Sequence, residues 1–224
     1  MSLGRTHKVN EQRLFGLSGV LGVLMLGVSF AINQGPPPGA TDFELHAFAA
    51  RSFREVMLAG WLQAVAPALL AAFVFGVVGG LPTRAAWLAS MARFGMTILM
   101  MVSLGEVSLY FAALYPVPDQ MSSIILHLIG AVQHLYFIVA APVVFLPFGF
   151  ALVQLGFRFL GWSAVGLGAL FAIIGCGTIF AQVLPNPVTM LGAVQGLWWL
   201  AASLVISFAK PRTVHEKAET EMMR

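Results

Sequence analysis

Apolar runs long enough to cross a bilayer recur along this chain, and they leave little from which to build a water-facing surface. A spanning helix needs about 20 mostly apolar residues. Such stretches fall near 14–32, 56–80, 87–115, 121–157, 161–184 and 189–209. Charged residues make up 9% of the chain, whereas a soluble domain carries about 25%. Lipid must therefore cover most of the folded surface. The fold class that follows is all-α, a polytopic membrane bundle of six transmembrane helices. At 224 residues the chain is one membrane domain with no room for a further soluble one.

Basic residues set the expected orientation. With six spans, Arg5, Lys8, Arg13, Arg84, Arg93, Arg158, Lys210, Arg212, Lys217 and Arg224 gather on one side, leaving Arg51 and Arg54 on the other. Splitting 121–157 into two spans would move Arg158 and the basic tail across. The positive-inside rule therefore favours six spans with both termini cytoplasmic, in a cell's inner membrane. The net charge of +3 belongs to this asymmetry at span ends rather than to a phosphate-binding face, so nucleic acid is not an expected partner. The first apolar stretch follows Arg5, Lys8 and Arg13 and exceeds a usual signal core, so it reads as an uncleaved span.

The connections are short except the first. Gly35-Pro36-Pro37-Pro38-Gly39 is a rigid break, and Thr41-Asp42-Phe43-Glu44 then has the form of a capping box. A short outer helix near 41–54, bearing Phe43, Phe48 and Phe53, is expected either to rest at the interface or to gate the bundle. Pro116-Val117-Pro118-Asp119 and Pro185-Asn186-Pro187 read as tight turns. Residues 210–224 form a mixed-charge cytoplasmic tail. Pro142 and Pro147 each remove a helix hydrogen bond and should bend the fourth span. Pro67 to Trp87 and Pro142 to Trp162 span equal intervals, which fits either duplicated parallel hairpins or chance.

Within this apolar frame the interior acid is Glu106, and the next span carries His127 and His134. A central charge costs roughly 2.5–3.5 kcal/mol on insertion scales, which makes such groups candidate functional sites. At 1.5 Å per residue, Glu106 lies roughly 13 Å below the outer interface, His127 about 9 Å and His134 about 20 Å. The histidines are seven apart, hence on one helical face. Tyr110 is one turn from Glu106, and Gln63, Gln133, Gln182 and Gln195 fall at similar depth. The expectation is an outward polar pocket centred on Glu106, His127 and His134, with Tyr110, Gln63, Gln133 and Gln195 around it.

A glutamate and a histidine together can pass a proton near neutral pH. Two histidines and a glutamate can also hold a divalent metal, but the spacing lacks the i,i+4 histidine pair of a zinc helix. Histidines on one face do not close around one haem iron. The competing structural reading is interhelical hydrogen bonding, worth under about 2 kcal/mol per bond. Ser103 and Ser108 are placed on other faces, bonding their own helix. No nucleophile constellation or phosphate loop is visible, so an enzyme is the third reading and no cofactor is assigned. Cys176 and the methionines Met96, Met100 and Met101 read as packing residues. Trp198-Trp199 is expected either to line a cavity or to face lipid.

The stretch from His134 through Gln182 resembles a broad family of uncharacterised six-helix bacterial inner-membrane proteins. The likeness rests on Ala141-Pro142-Val143-Val144-Phe145-Leu146-Pro147-Phe148-Gly149, on the turn Arg158-Phe159-Leu160-Gly161-Trp162, and on the glycine-rich span through Gly175. It implies the six-helix fold and carries no activity. Two functional expectations follow. One is a proton-coupled or small-molecule transporter or ligand-binding protein with an outward pocket. The other is a non-catalytic accessory subunit, binding lipid or pigment within a larger membrane complex or homo-oligomer.

Overall fold

The computed structural model describes residues 3–33, 35, 41–115, 119–181 and 185–209. Most of the Gly35–Gly39 break, residues 116–118, residues 182–184 with Gln182, and the tail from Lys210 lie outside the described residues. Helices account for 93% of the structure, with no strand among the described residues. They are α1 (Leu3–Ile32), α2 (Asp42–Val78), α3 (Ala86–Leu114), α4 (Asp119–Leu135), α5 (Ala141–Gln154), α6 (Arg158–Ala181) and α7 (Pro185–Phe208). Six helical stretches are long and apolar enough to cross a membrane: Glu11–Ile32, Phe43–Val78, Thr83–Leu114, Ile124–Gln154, Arg158–Gly177 and Met190–Phe208. This is a multipass membrane protein.

The capping box forms: Thr41 Oγ1 accepts from the Glu44 backbone N–H, and a Glu44 carboxylate oxygen accepts from the Thr41 N–H at 2.8 Å. It opens a short helix, residues 42–51, as expected. A kink where Ser52 leaves helical geometry at φ −102° and ψ 15° parts this helix from the second span within α2. Pro67 sits inside the same helix.

The fourth span widens just before its first proline. Tyr136–Ala140 is a π turn joining α4 to α5, with Pro142 in the first turn of α5. Proline has no N–H and its ring crowds the carbonyl four residues back. Widening the preceding turn relieves that crowding, as π bulges do. At the end of α5, Gly156 adopts φ +90° while Phe157 N–H bonds the Leu152 carbonyl at 2.9 Å. This is the left-handed glycine cap that reverses the chain into α6.

The helices pack in a ring. α1 lies between α2 and α7, α2 meets α3, α3 meets α4 and α5, and α5 lies along α6, whereas α6 and α7 touch little. Backbones approach closely at two crossings. A Cβ on Gly95 would fall 2.8 Å from the Val143 carbonyl carbon, and one on Gly149 would fall 2.7 Å from the Gly161 oxygen. Side chains must be absent there for α3, α5 and α6 to pack.

The two halves of the bundle differ. The half next to the α5–α6 turn is aromatic. Phe73, Phe145, Phe148, Phe171 and Trp199 are fully buried there or nearly so. Phe148 stacks on Trp199 at 5.6 Å between centroids, and Phe73 meets Phe148 edge-on at 6.0 Å. Trp198 also joins this core and donates to Ser163 Oγ at 2.9 Å. The tryptophan pair is thus part of the buried core rather than facing lipid. Met96 is buried in the same core and Met101 is exposed. Cys176 is exposed rather than internal, because the neighbouring stretch of α6 has little contact with α7. The other half, towards the α1–α2 connection, holds Glu106, Gln63 and Ser29, whereas Ser203 and Ser207 are buried at the far end of α7 against α1.

Candidate functional site

Glu106 lies eight residues before the end of α3, or about 12 Å of helix. Its carboxyl is held by side chains from three helices. Gln63 of α2 donates from Nε2 to Oε2 at 2.7 Å, and Gln133 of α4 donates from Nε2 to Oε1 at 2.8 Å. Tyr110, one turn along α3, donates to Oε1 at 3.4 Å, and Gln133 also approaches the Tyr110 oxygen at 3.4 Å. Gln63 is only 4% exposed. Its carbonyl accepts from Ser103 Oγ at 3.0 Å, which ties α3 to α2 a second time.

The donors converging on Glu106 are neutral: two amides and a phenol. That set satisfies a carboxylate's acceptors without cancelling its charge. A carboxyl so placed in an apolar bundle either carries a proton or draws a cation.

Of the residues expected to form the pocket, Glu106, Tyr110, Gln63 and Gln133 come together as one network. Gln195 is buried on α7, where it shares a hydrogen bond with Tyr136 of the π turn. His127 and His134 fall on a different side of α4 from Gln133. Both are exposed, and His134 Nδ1 lies 2.8 Å from the Gly130 carbonyl of its own helix. The reason is helix phase. Ile125 and Ile129 are buried, and steps of four from them reach Gln133, with Tyr136 three further on. That face meets the bundle, and the histidines sit on the other one. Among the described residues, no three His, Cys, Asp or Glu side chains gather closely enough to hold a metal.

Ser103 and Tyr136 were not expected here. Ser103 is three residues before Glu106, so the two share a helix face, and its hydroxyl crosses to α2 instead of bonding its own backbone. Ser108 does bond its own helix, at Leu104 O.

A cleft of about 50 Å³ lies above this network, bounded by the end of α1, the first turns of α2, the end of α3, and α4. Its walls are mostly apolar, with Phe48, Leu126 and Ile129 among them, and its polar groups are Asn33, His46 and Tyr110. Tyr110 therefore lines the cleft and bonds Glu106 at once. Volume decides what fits. Pockets for metabolites run to about 300–1,000 Å³, whereas a water needs about 10–15 Å³ and two to four polar partners. The cleft suits a few waters or a small ion.

No protein-family model, no curated protein and no solved structure matches this chain.

Proposed function

We propose that this membrane protein binds a proton at Glu106 and exchanges it through the cleft with the side that carries the α1–α2 connection. The observation that carries the reading is the double position of Tyr110, whose hydroxyl bonds the carboxyl while its ring borders the cleft. A phenol can donate and accept, so it can relay a proton between cleft water and Oε1. Gln63 and Gln133 hold the carboxyl still in both protonation states, because each amide offers a donor and an acceptor. The cleft's small volume favours a proton over an organic solute.

By the positive-inside rule the cleft opens on the non-cytoplasmic side of an inner membrane, since Arg84 and Arg158 lie at the opposite helix ends and Arg93 two turns into α3 from that end. Coupling of this proton to transport is the function so proposed.

The test is proton flux in liposomes carrying an internal pH dye under an imposed pH step. Wild-type protein should collapse the gradient at least ten times faster than Glu106→Gln, with Tyr110→Phe in between. Equal rates for wild type and Glu106→Gln would refute the proposal.

A second reading is favoured by the exposed His134 on an apolar helix. An ionisable side chain at a lipid-facing position is costly, and a neighbouring protein would cover it. In that reading the protein is an accessory subunit of a larger membrane complex or a homo-oligomer through α4. Native mass spectrometry after mild extraction distinguishes the two: a monomer alone, under conditions that preserve known complexes, removes this reading.

A further inference from the structure

Arg51 and Arg54 are the basic residues that stand against the charge asymmetry of the chain. Both are exposed on α2. Among the described residues, neither makes a hydrogen bond or an ion pair. Below them on the same helix, Leu58 is 49% and Trp61 56% exposed. Below the kink, positions 54, 58 and 61 follow i, i+4 and i+7 spacing, so they share one side of the helix, and Arg51 stands just across the kink at Ser52. The rise from Trp61 to Arg54 is about 10 Å. That is within the ~15 Å depth of one hydrocarbon leaflet. When the guanidinium groups stand at headgroup level, Leu58 and Trp61 lie along the acyl chains.

We infer that this side of α2 is a binding surface for a phospholipid, with Arg51 and Arg54 on the phosphate and Leu58 and Trp61 along an acyl chain. Charge complementarity chooses the occupant. Guanidinium forks match phosphate oxygens in paired hydrogen bonds, and here two forks flank the kink at Ser52, neither with a partner among the described residues. Glu44 is engaged by Thr41 at the helix start, and among the described residues Glu55 forms no ion pair with Arg51 or Arg54. The apolar stripe below distinguishes a lipid from free phosphate, which would have no use for it. The surface also straddles the bend at Ser52, so a bound lipid holds both segments of α2.

The experiment uses the full-length protein in neutral detergent, with native mass spectrometry counting bound lipid and thermal unfolding read in parallel. The probes are phosphatidylglycerol, a phosphate-free glucosyl diacylglycerol and inorganic phosphate. Phosphatidylglycerol should bind and raise the melting temperature, whereas the glycolipid and inorganic phosphate should not. R51Q/R54Q should lower phosphatidylglycerol occupancy about fivefold or more. R51K/R54K keeps the charge but loses the fork, and should fall between the two. Equal occupancy by the glycolipid, an equal shift with inorganic phosphate, or full retention in R51Q/R54Q would each overturn the inference. Should R51Q/R54Q fail to fold, the R51K/R54K comparison and the three probes on wild-type protein still decide it.

Discussion

Two substitutions of Glu106 separate the hydrogen-bond role of the side chain from its acid role. In Glu106→Leu, Gln63 loses the acceptor at 2.7 Å, and at 4% exposure its amide has no water to turn to. A buried donor left without an acceptor costs about 1–3 kcal/mol, while interhelical bonds in membrane bundles average about 0.6 and reach about 1.7 kcal/mol. Gln133 is exposed and can reorient, so its bond adds little. Loss of an acid from an apolar interior works in the opposite direction. The expected net destabilisation is about 1–2 kcal/mol, combining these ranges. Glu106→Gln keeps the shape and one acceptor oxygen, and rotating the Gln63 or Gln133 amide pairs the remaining groups, so it should cost under about 0.5 kcal/mol. Gln63→Leu together with Glu106→Leu removes donor and acceptor at once and should be less harmful than the sum of the single changes. Reversible unfolding in mixed micelles with increasing dodecyl sulfate measures all four proteins. If Glu106→Gln is as damaging as Glu106→Leu, or if the double variant is strictly additive, the network does not hold the helices as described.

Other substitutions probe the same frame. His134→Ala should leave proton flux unchanged and stability within about 0.5 kcal/mol, because its Nδ1 engages only its own helix in the structure and the residue is exposed; a flux defect in the same liposome assay would return this histidine to the site. Gly95→Ala should cost about 1–3 kcal/mol by forcing α3 from α5 at the Val143 carbonyl. Thermal unfolding in detergent checks it, and an unchanged melting temperature would mean that the crossing is looser than it is here.

The apolar runs made the spans legible, because hydrocarbon imposes length and composition together. The short helix that opens α2 was legible, because the capping box at Thr41 and Glu44 marks its start. The place where it ends was not, since Ser52 kinks the chain with no proline or glycine beside it. Pro142 announced a bend, but the strain is relieved one turn earlier as the π turn, a response of the backbone that composition does not encode. Depth arithmetic brought Glu106, Tyr110, Gln63 and Gln133 to one level, and they do meet. It treated His127 and His134 alike, however, because depth ignores rotation about the helix axis. The needed signal was the four-residue step from Ile125 to Ile129 to Gln133, which fixes the inward face of α4. The same check on α3 would have put Ser103 beside Glu106. The cleft arises from the bent start of α2 meeting the ends of α1, α3 and α4, and no single segment contains it.

The central claim is that Glu106 takes up and releases a proton through the cleft. Infrared difference spectroscopy of the protein in hydrated lipid film, stepped in pH, observes that carboxyl directly. The account predicts a protonated-carboxyl carbonyl band that grows as the pH is lowered, is absent in Glu106→Gln, and shifts in Tyr110→Phe because the hydrogen bond to Oε1 is lost. A carbonyl band that does not change with pH, or one that persists unaltered in Glu106→Gln, would contradict it.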